Sequence, residues 1–83
     1  MGKKMDLTQA LRKRLIELMK SNEVNGNQLA LLSGIDRSTL NKFLRGKVKS
    51  MRIETLTLIC QSLNLSLKDF FDCSLFNDVE VND

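Results

Sequence analysis

The segment NQLALLSGIDRSTLNKFLRGK, residues 27–47, constrains the fold more than any other part of the chain. Gly34 stands in it between two short stretches whose apolar residues recur at helical spacing. Glycine leaves a helix through positive φ without steric cost, so the pattern predicts two short helices joined by one tight turn. Asn25 stands as N-cap of the first, with Gln28 at the reciprocal position, and that helix is expected to end at Ser33. Asp36 is placed to cap the second, which carries Leu40, Phe43 and Leu44 at spacings of three and four. Ser38, Lys42 and Arg45 fall on the opposite face, with Arg37 and Asn41 on its shoulder. Ile35 is expected to plug the turn from the core side, and the small Ala30 to let the two helices cross closely.

The flanking sequence is helical as well. A first helix is expected from about residue 7 to about residue 21, with Asp6 as N-cap and Gln9 completing a capping box. Leu7, Leu11, Leu15 and Leu18 form its buried stripe, leaving Arg12, Lys13, Arg14, Glu17 and Lys20 in water. A fourth helix is expected from near Arg52 to near Leu63, burying Ile53, Leu56, Ile59, Cys60 and Leu63. Ser66 and Asp69 have capping-box spacing for a short fifth helix over LKDFF. The expected fold is therefore all-α, with five helices in one domain over residues 1–73. Residues 74–83 form an acidic tail, either disordered or carrying a strand in the alternation Asp78-Val79-Glu80-Val81.

At 83 residues, with 42% apolar and 28% charged content, the chain suits a single small globular core. It has no histidine, and its two cysteines are too few for a tetrahedral metal site. Clustered acids at metal spacing are missing too, so neither an enzyme nor a cofactor is expected. No apolar run approaches the roughly 18 residues of a membrane span. Two reduced thiols fit a cytoplasmic protein. The net charge of +3 conceals an uneven distribution. Residues 1–52 hold twelve Lys or Arg against four acids, and residues 53–83 hold one Lys against six. A polyanion would meet the first part and be repelled by the second.

These features converge on a helix-turn-helix whose second helix is presented outward, with donors suited to base edges and phosphates in a DNA major groove. The sequence resembles the Cro/repressor-like, or XRE-type, family of such domains, over about residues 11–71. The matching elements are Leu29-Ala30, the Ser33-Gly34-Ile35 turn, Ser38-Thr39-Leu40, Arg45-Gly46-Lys47, Ile53-Glu54-Thr55-Leu56 and Leu63-Asn64-Leu65-Ser66-Leu67.

The resemblance implies a compact five-helix, lambda-repressor-like domain. Such a domain binds double-stranded operator DNA, usually as a homodimer, and regulates transcription, as a repressor, in bacteria, phages or mobile elements. It assigns base reading to Arg37, Ser38, Asn41 and Lys42. Phosphate contacts are implied for Asn25, Asn27, Gln28, Arg45, Lys47 and Lys49. Two departures stand out. Gly26 occupies a position where the family often has Gln, and Met19 and Leu44 stand where many members pair Arg with Glu. The latter two are expected to touch as an apolar replacement for the ion pair. Dimerisation is expected through the C-terminal side, with Phe76, Val79 and Val81 at the interface and the two valines pairing as strands across the two-fold. The alternative is an interaction module, such as an antitoxin or adaptor, that keeps the fold. Nothing in the sequence marks a small-molecule ligand.

Overall fold

The computed structural model describes residues 5–81. Its helices are α1 (Leu7–Ser21), α2 (Gly26–Ser33), α3 (Arg37–Leu44), α4 (Ile53–Ser62) and α5 (Leu67–Phe71), followed by a single 3-10 turn at Ser74–Phe76. Local side chains set most helix starts. The capping boxes of Asp6 with Gln9 and of Asn25 with Gln28 are both formed, and Asp36 and Ser66 accept the N–H of the third residue of α3 and α5. Each cap satisfies donors that the first helical turn leaves without an intrahelical partner. Arg52 precedes α4 without a side-chain cap, and Glu54 in the first turn provides the acidic charge that favours a helix N-terminus.

Backbone geometry closes the helices. Gly34 is left-handed at φ 71°, which turns the chain from α2 into α3, and Ile35 N–H donates to the Ala30 carbonyl at 3.1 Å. Asn64 takes the same left-handed region at φ 57° after α4, where Leu65 N–H reaches the Cys60 carbonyl at 2.9 Å. Glu23 does so after α1, also at φ 57°.

Leu11, Leu15 and Leu18 from α1, Leu29 and Ala30 from α2, Leu40 and Phe43 from α3, Leu56, Ile59 and Cys60 from α4, and Phe70 from α5 form one core. Burial raises the Cys60 thiol pKa above its ordinary value, against the opposing pull of Arg14. Ala30 is buried where α2 crosses its neighbours. Beside it Ser33, the one buried polar residue among those described, shares a 3.0 Å hydrogen bond with Ser62 on α4.

Three sequence expectations need correction. Ile53 is 55% exposed rather than buried. It is the first residue of α4, and side chains lean toward the N-terminus of their helix, so it overhangs the end. Arg12 and Arg14 do not extend into water. Arg14 donates from Nε to the Phe70 carbonyl at 2.7 Å and from Nη2 to that of Asp69 at 2.8 Å, with its guanidinium 5.9 Å from the centre of the Phe70 ring. It thereby ties α1 to α5 and covers the core with its stem.

The third correction concerns the tail, which is folded back on the domain. Val79–Glu80 forms a strand parallel to Met5–Asp6, in the register Met5 to Val79 and Asp6 to Glu80. Phe76 packs on Phe70 and Phe71, with ring centres at 5.9 and 4.8 Å. The strand expected across a two-fold axis thus has its partner within the same chain. Phe76 and Val79, expected at a dimer interface, are used inside one fold, while Val81 is 72% exposed.

Candidate nucleic-acid interface

The α2–turn–α3 unit is built so that α3 lies on the surface. Leu40 and Phe43 anchor one side of it, at 1% exposure each, and the opposite side presents Arg37, Ser38, Lys42 and Arg45 to solvent. Asp36 holds its N-terminus. One carboxylate oxygen accepts the Thr39 N–H at 2.9 Å and the Thr39 hydroxyl at 3.0 Å. These hydrogen bonds, the backbone one foremost and aided by Lys42 and Arg37 nearby, hold the Asp36 carboxyl below its ordinary pKa. The charged cap keeps Arg37 and Ser38 in the first exposed turn.

Asn41 is placed differently from its neighbours. It is half-buried, and its Nδ2 donates to Asn27 Oδ1 at 3.1 Å, so its amide lies in the seam between α3 and the first turn of α2. A Cβ on Gly26 would stand 2.5 Å from Asn41 Oδ1 and 3.3 Å from a Leu44 methyl. The glycine at this position therefore makes room for Asn41, a reason that sequence reasoning missed.

At the start of α2 the side chains expected to meet phosphates are partly committed to one another. Asn25 Oδ1 accepts the Gln28 N–H at 2.8 Å, and Gln28 Oε1 accepts the Asn25 N–H at 2.8 Å. The amides of Gly26 and Asn27, in the first helical turn, have no acceptor further back along the helix. Together with the positive end of the helix dipole they suit an anion. Gln28 Nε2 and Asn27 Nδ2 remain as side-chain donors.

Beyond α3 the chain turns at Gly46, φ 80°, into an exposed loop carrying Lys47 and Lys49. Helix α1 holds this loop and the end of α3 at one point each, neither of which sequence reasoning found. The Thr8 hydroxyl donates to the Lys49 carbonyl. Arg12 Nε donates to the Phe43 carbonyl at 3.1 Å, with its guanidinium against Gly46. Both acceptors are backbone carbonyls more than thirty residues away, and no sequence pattern announces such a partner. Met19 and Leu44 each pack, partly buried, against the core.

The surface thus consists of a basic helix face, an anion-ready helix N-terminus on one side of it and a basic loop on the other. It offers exposed hydrogen-bond donors on the helix face and positive charge beside them.

Comparison with known proteins agrees with this arrangement. Residues 14–74 match the family model described as the Cro/C1-type HTH DNA-binding domain. The crystal structure of prophage Lp1 protein 11 is similar, with a TM-score of 0.78 and 31% sequence identity, over 90% of this chain and 99% of that one. An HTH_3 family transcriptional regulator from Vibrio cholerae superposes with a TM-score of 0.72 at 28% identity. That match spans 82% of this chain and 38% of the regulator's length. No curated protein matches the chain.

Proposed function

The chain belongs to the Cro/C1-type helix-turn-helix DNA-binding domain family, and we propose that it binds a specific operator in double-stranded DNA and represses transcription from it. The observation that carries this reading is the outward face of α3, where Arg37, Ser38 and Lys42 stand exposed together on a helix anchored from behind by Leu40 and Phe43. Arg37 and Lys42 present donors suited to guanine O6 and N7, and Ser38 can pair with any base edge. Asn41 serves mainly as a brace, since its amide is already bonded to Asn27. Phosphates on one side of the groove meet the first turn of α2 and Gln28, and those on the other meet Arg45, Lys47 and Lys49.

One such helix covers too few bases to define an operator. We infer that the protein binds as a homodimer on two half-sites about one helical turn apart. Similarity to a prophage protein and to a bacterial transcriptional regulator supports a role in phage or bacterial gene control, in the cytoplasm where that DNA lies.

Selection of bound fragments from a random duplex library tests this directly. The expected product is an enriched, two-fold symmetric motif. Recovery of unenriched sequence would overturn operator recognition while leaving general DNA affinity standing.

A further inference from the structure

Arg12 is a positive residue that the helix-turn-helix does not account for. It belongs to α1, outside the helix pair, yet it sits beside the loop after α3. Its Nε is engaged with the Phe43 carbonyl at 3.1 Å. A Cβ built on Gly46 would lie 3.3 and 3.7 Å from its two Nη atoms, so the guanidinium rests against the bare glycine backbone. Among the described residues Arg12 has no carboxylate partner, in contrast to Arg14, which pairs with Glu17 at 3.5 Å. One edge of a rigid five-donor fork is therefore fixed by the protein, and the Nη groups are left to a ligand.

The surroundings identify the kind of ligand. Asp6, Thr8, Gln9, Arg12, Gly46, Val48 and Lys49 line one surface concavity. Asp6 is committed to capping α1, accepting the Thr8 N–H at Oδ1. Lys49 carries a second positive charge on the same wall. The glycine matters as well, because a side chain at position 46 would crowd the guanidinium.

We propose that this concavity is a DNA phosphate site in which Arg12 is the principal ligand and Lys49 the second charge. The inference rests on the DNA-binding reading and extends it by one backbone phosphate, contacted from α1. Because Arg12 also holds the Phe43 carbonyl, the same guanidinium links the end of the recognition helix to the DNA backbone. It sets how far α3 enters the groove as well as adding affinity.

The test is a salt titration of binding to random and selected duplexes by wild type, Arg12→Gln and Arg37→Ala. For Arg12→Gln the expected result is loss of about tenfold in affinity at low salt for both duplexes, with the slope of log K against log salt less steep by about one. An Arg12→Gln protein with the wild-type slope would overturn the proposal, whether its affinity is unchanged or reduced, because a purely structural brace moves stability without changing counterion release. Wild type binding neither duplex would instead overturn the DNA-binding reading, and this proposal with it.

Should Arg12→Gln fail to fold, the wild-type protein still decides the matter. The side-chain nitrogen signals of Arg12 in a labelled sample are expected to shift when duplex is added, and signals unmoved at saturation would overturn the proposal.

Discussion

Asn41 on α3 and Asn27 on α2 are joined by a 3.1 Å hydrogen bond directly beside Gly26, where α3 meets the first turn of α2. Alanine at position 26 would push on Asn41 Oδ1, the far end of a short flexible side chain, and on a Leu44 methyl. The amide can swing away, at the expense of its bond to Asn27, which is worth about 1 kcal/mol. Alanine's better helix propensity offsets a similar amount. Gly26→Ala is therefore expected to melt within about 1 kcal/mol of wild type while binding its selected operator more weakly. Urea denaturation and operator titration check the two halves, and unchanged operator affinity would mean that the Asn41 brace has no part in recognition.

The division between base readers and phosphate contacts gives a second expectation. Arg37→Ala and Lys42→Ala should weaken binding to a selected operator by about 1–3 kcal/mol each and have much smaller effects on random DNA. Lys47→Ala and Lys49→Ala should weaken both nearly equally. Equal effects of all four on both duplexes would show that α3 is not the reading element.

The folded-back tail changes what truncation does. From the sequence, deletion of residues 74–83 is expected to leave the helical fold intact and to reduce dimer formation. In the structure those residues include Phe76, edge-on to Phe71 and tilted against Phe70, and a strand paired with Met5–Asp6. Phe76→Ala should cost about 1–2 kcal/mol by denaturation, and the truncation more. A truncated protein as stable as the full chain would refute the intramolecular role. Sedimentation of Phe76→Ala under folding conditions then tells whether the tail also serves a dimer.

What could be read in the sequence follows from the range of the forces involved. Helix boundaries were legible because caps act over three residues: Asp6 with Gln9, Asn25 with Gln28, and Asp36 with Thr39 lie close in the chain. Gly34 was legible because a left-handed turn favours that residue. Contacts across the fold were not. Arg12 and Arg14 look like solvated helix residues because periodicity sorts side chains by polarity, whereas their acceptors are carbonyls of α3 and α5. Strand pairing between Met5–Asp6 and Val79–Glu80 joins opposite ends of the chain through two residues each, too short for an alternating pattern to point to a partner. Gly26 read as a departure from the family's usual Gln, and only its distance to Asn41 reveals a packing role.

Acid should act on the recognition helix through its cap. The Asp36 carboxyl titrates below the ordinary 3.8 because its charged form accepts two hydrogen bonds from Thr39. A carboxyl whose folded pKa is depressed contributes stability that is fully present above the unfolded value and is lost as pH falls through the folded one. Asp36→Ala is therefore expected to be less stable than wild type at pH 6, with the gap narrowing below pH 4 as the wild-type cap is protonated. A gap independent of pH, measured by denaturation across this range, would show that the charge of Asp36 adds nothing to its capping.

Glu23 offers the opposite kind of change, one in which stability and DNA affinity rise together. It adopts φ 57° after α1, a conformation that costs a residue with a Cβ about 1–2 kcal/mol and costs glycine nothing. The turn needs this conformation: Val24 N–H reaches back to the Met19 carbonyl at 3.0 Å, and Glu23 N–H to that of Lys20 at 3.2 Å. Asn64 shares the geometry, but asparagine tolerates it better than glutamate. Glu23→Gly is expected to raise stability by about 0.5–1 kcal/mol, less than the full strain because glycine also gains freedom in the unfolded chain. Glu23 is exposed and lies two residues before the cap of α2, the helix whose first turn is proposed to bind phosphate. Removing its negative charge should therefore also tighten binding to duplex DNA at low salt, an effect that fades as added salt screens the charge. Glu23→Gln separates the two causes, since it keeps the backbone strain and loses the charge. It should raise DNA affinity without raising the melting temperature. If Glu23→Gln binds DNA no better than wild type, the N-terminus of α2 does not approach a phosphate, and the helix pair docks in a different orientation.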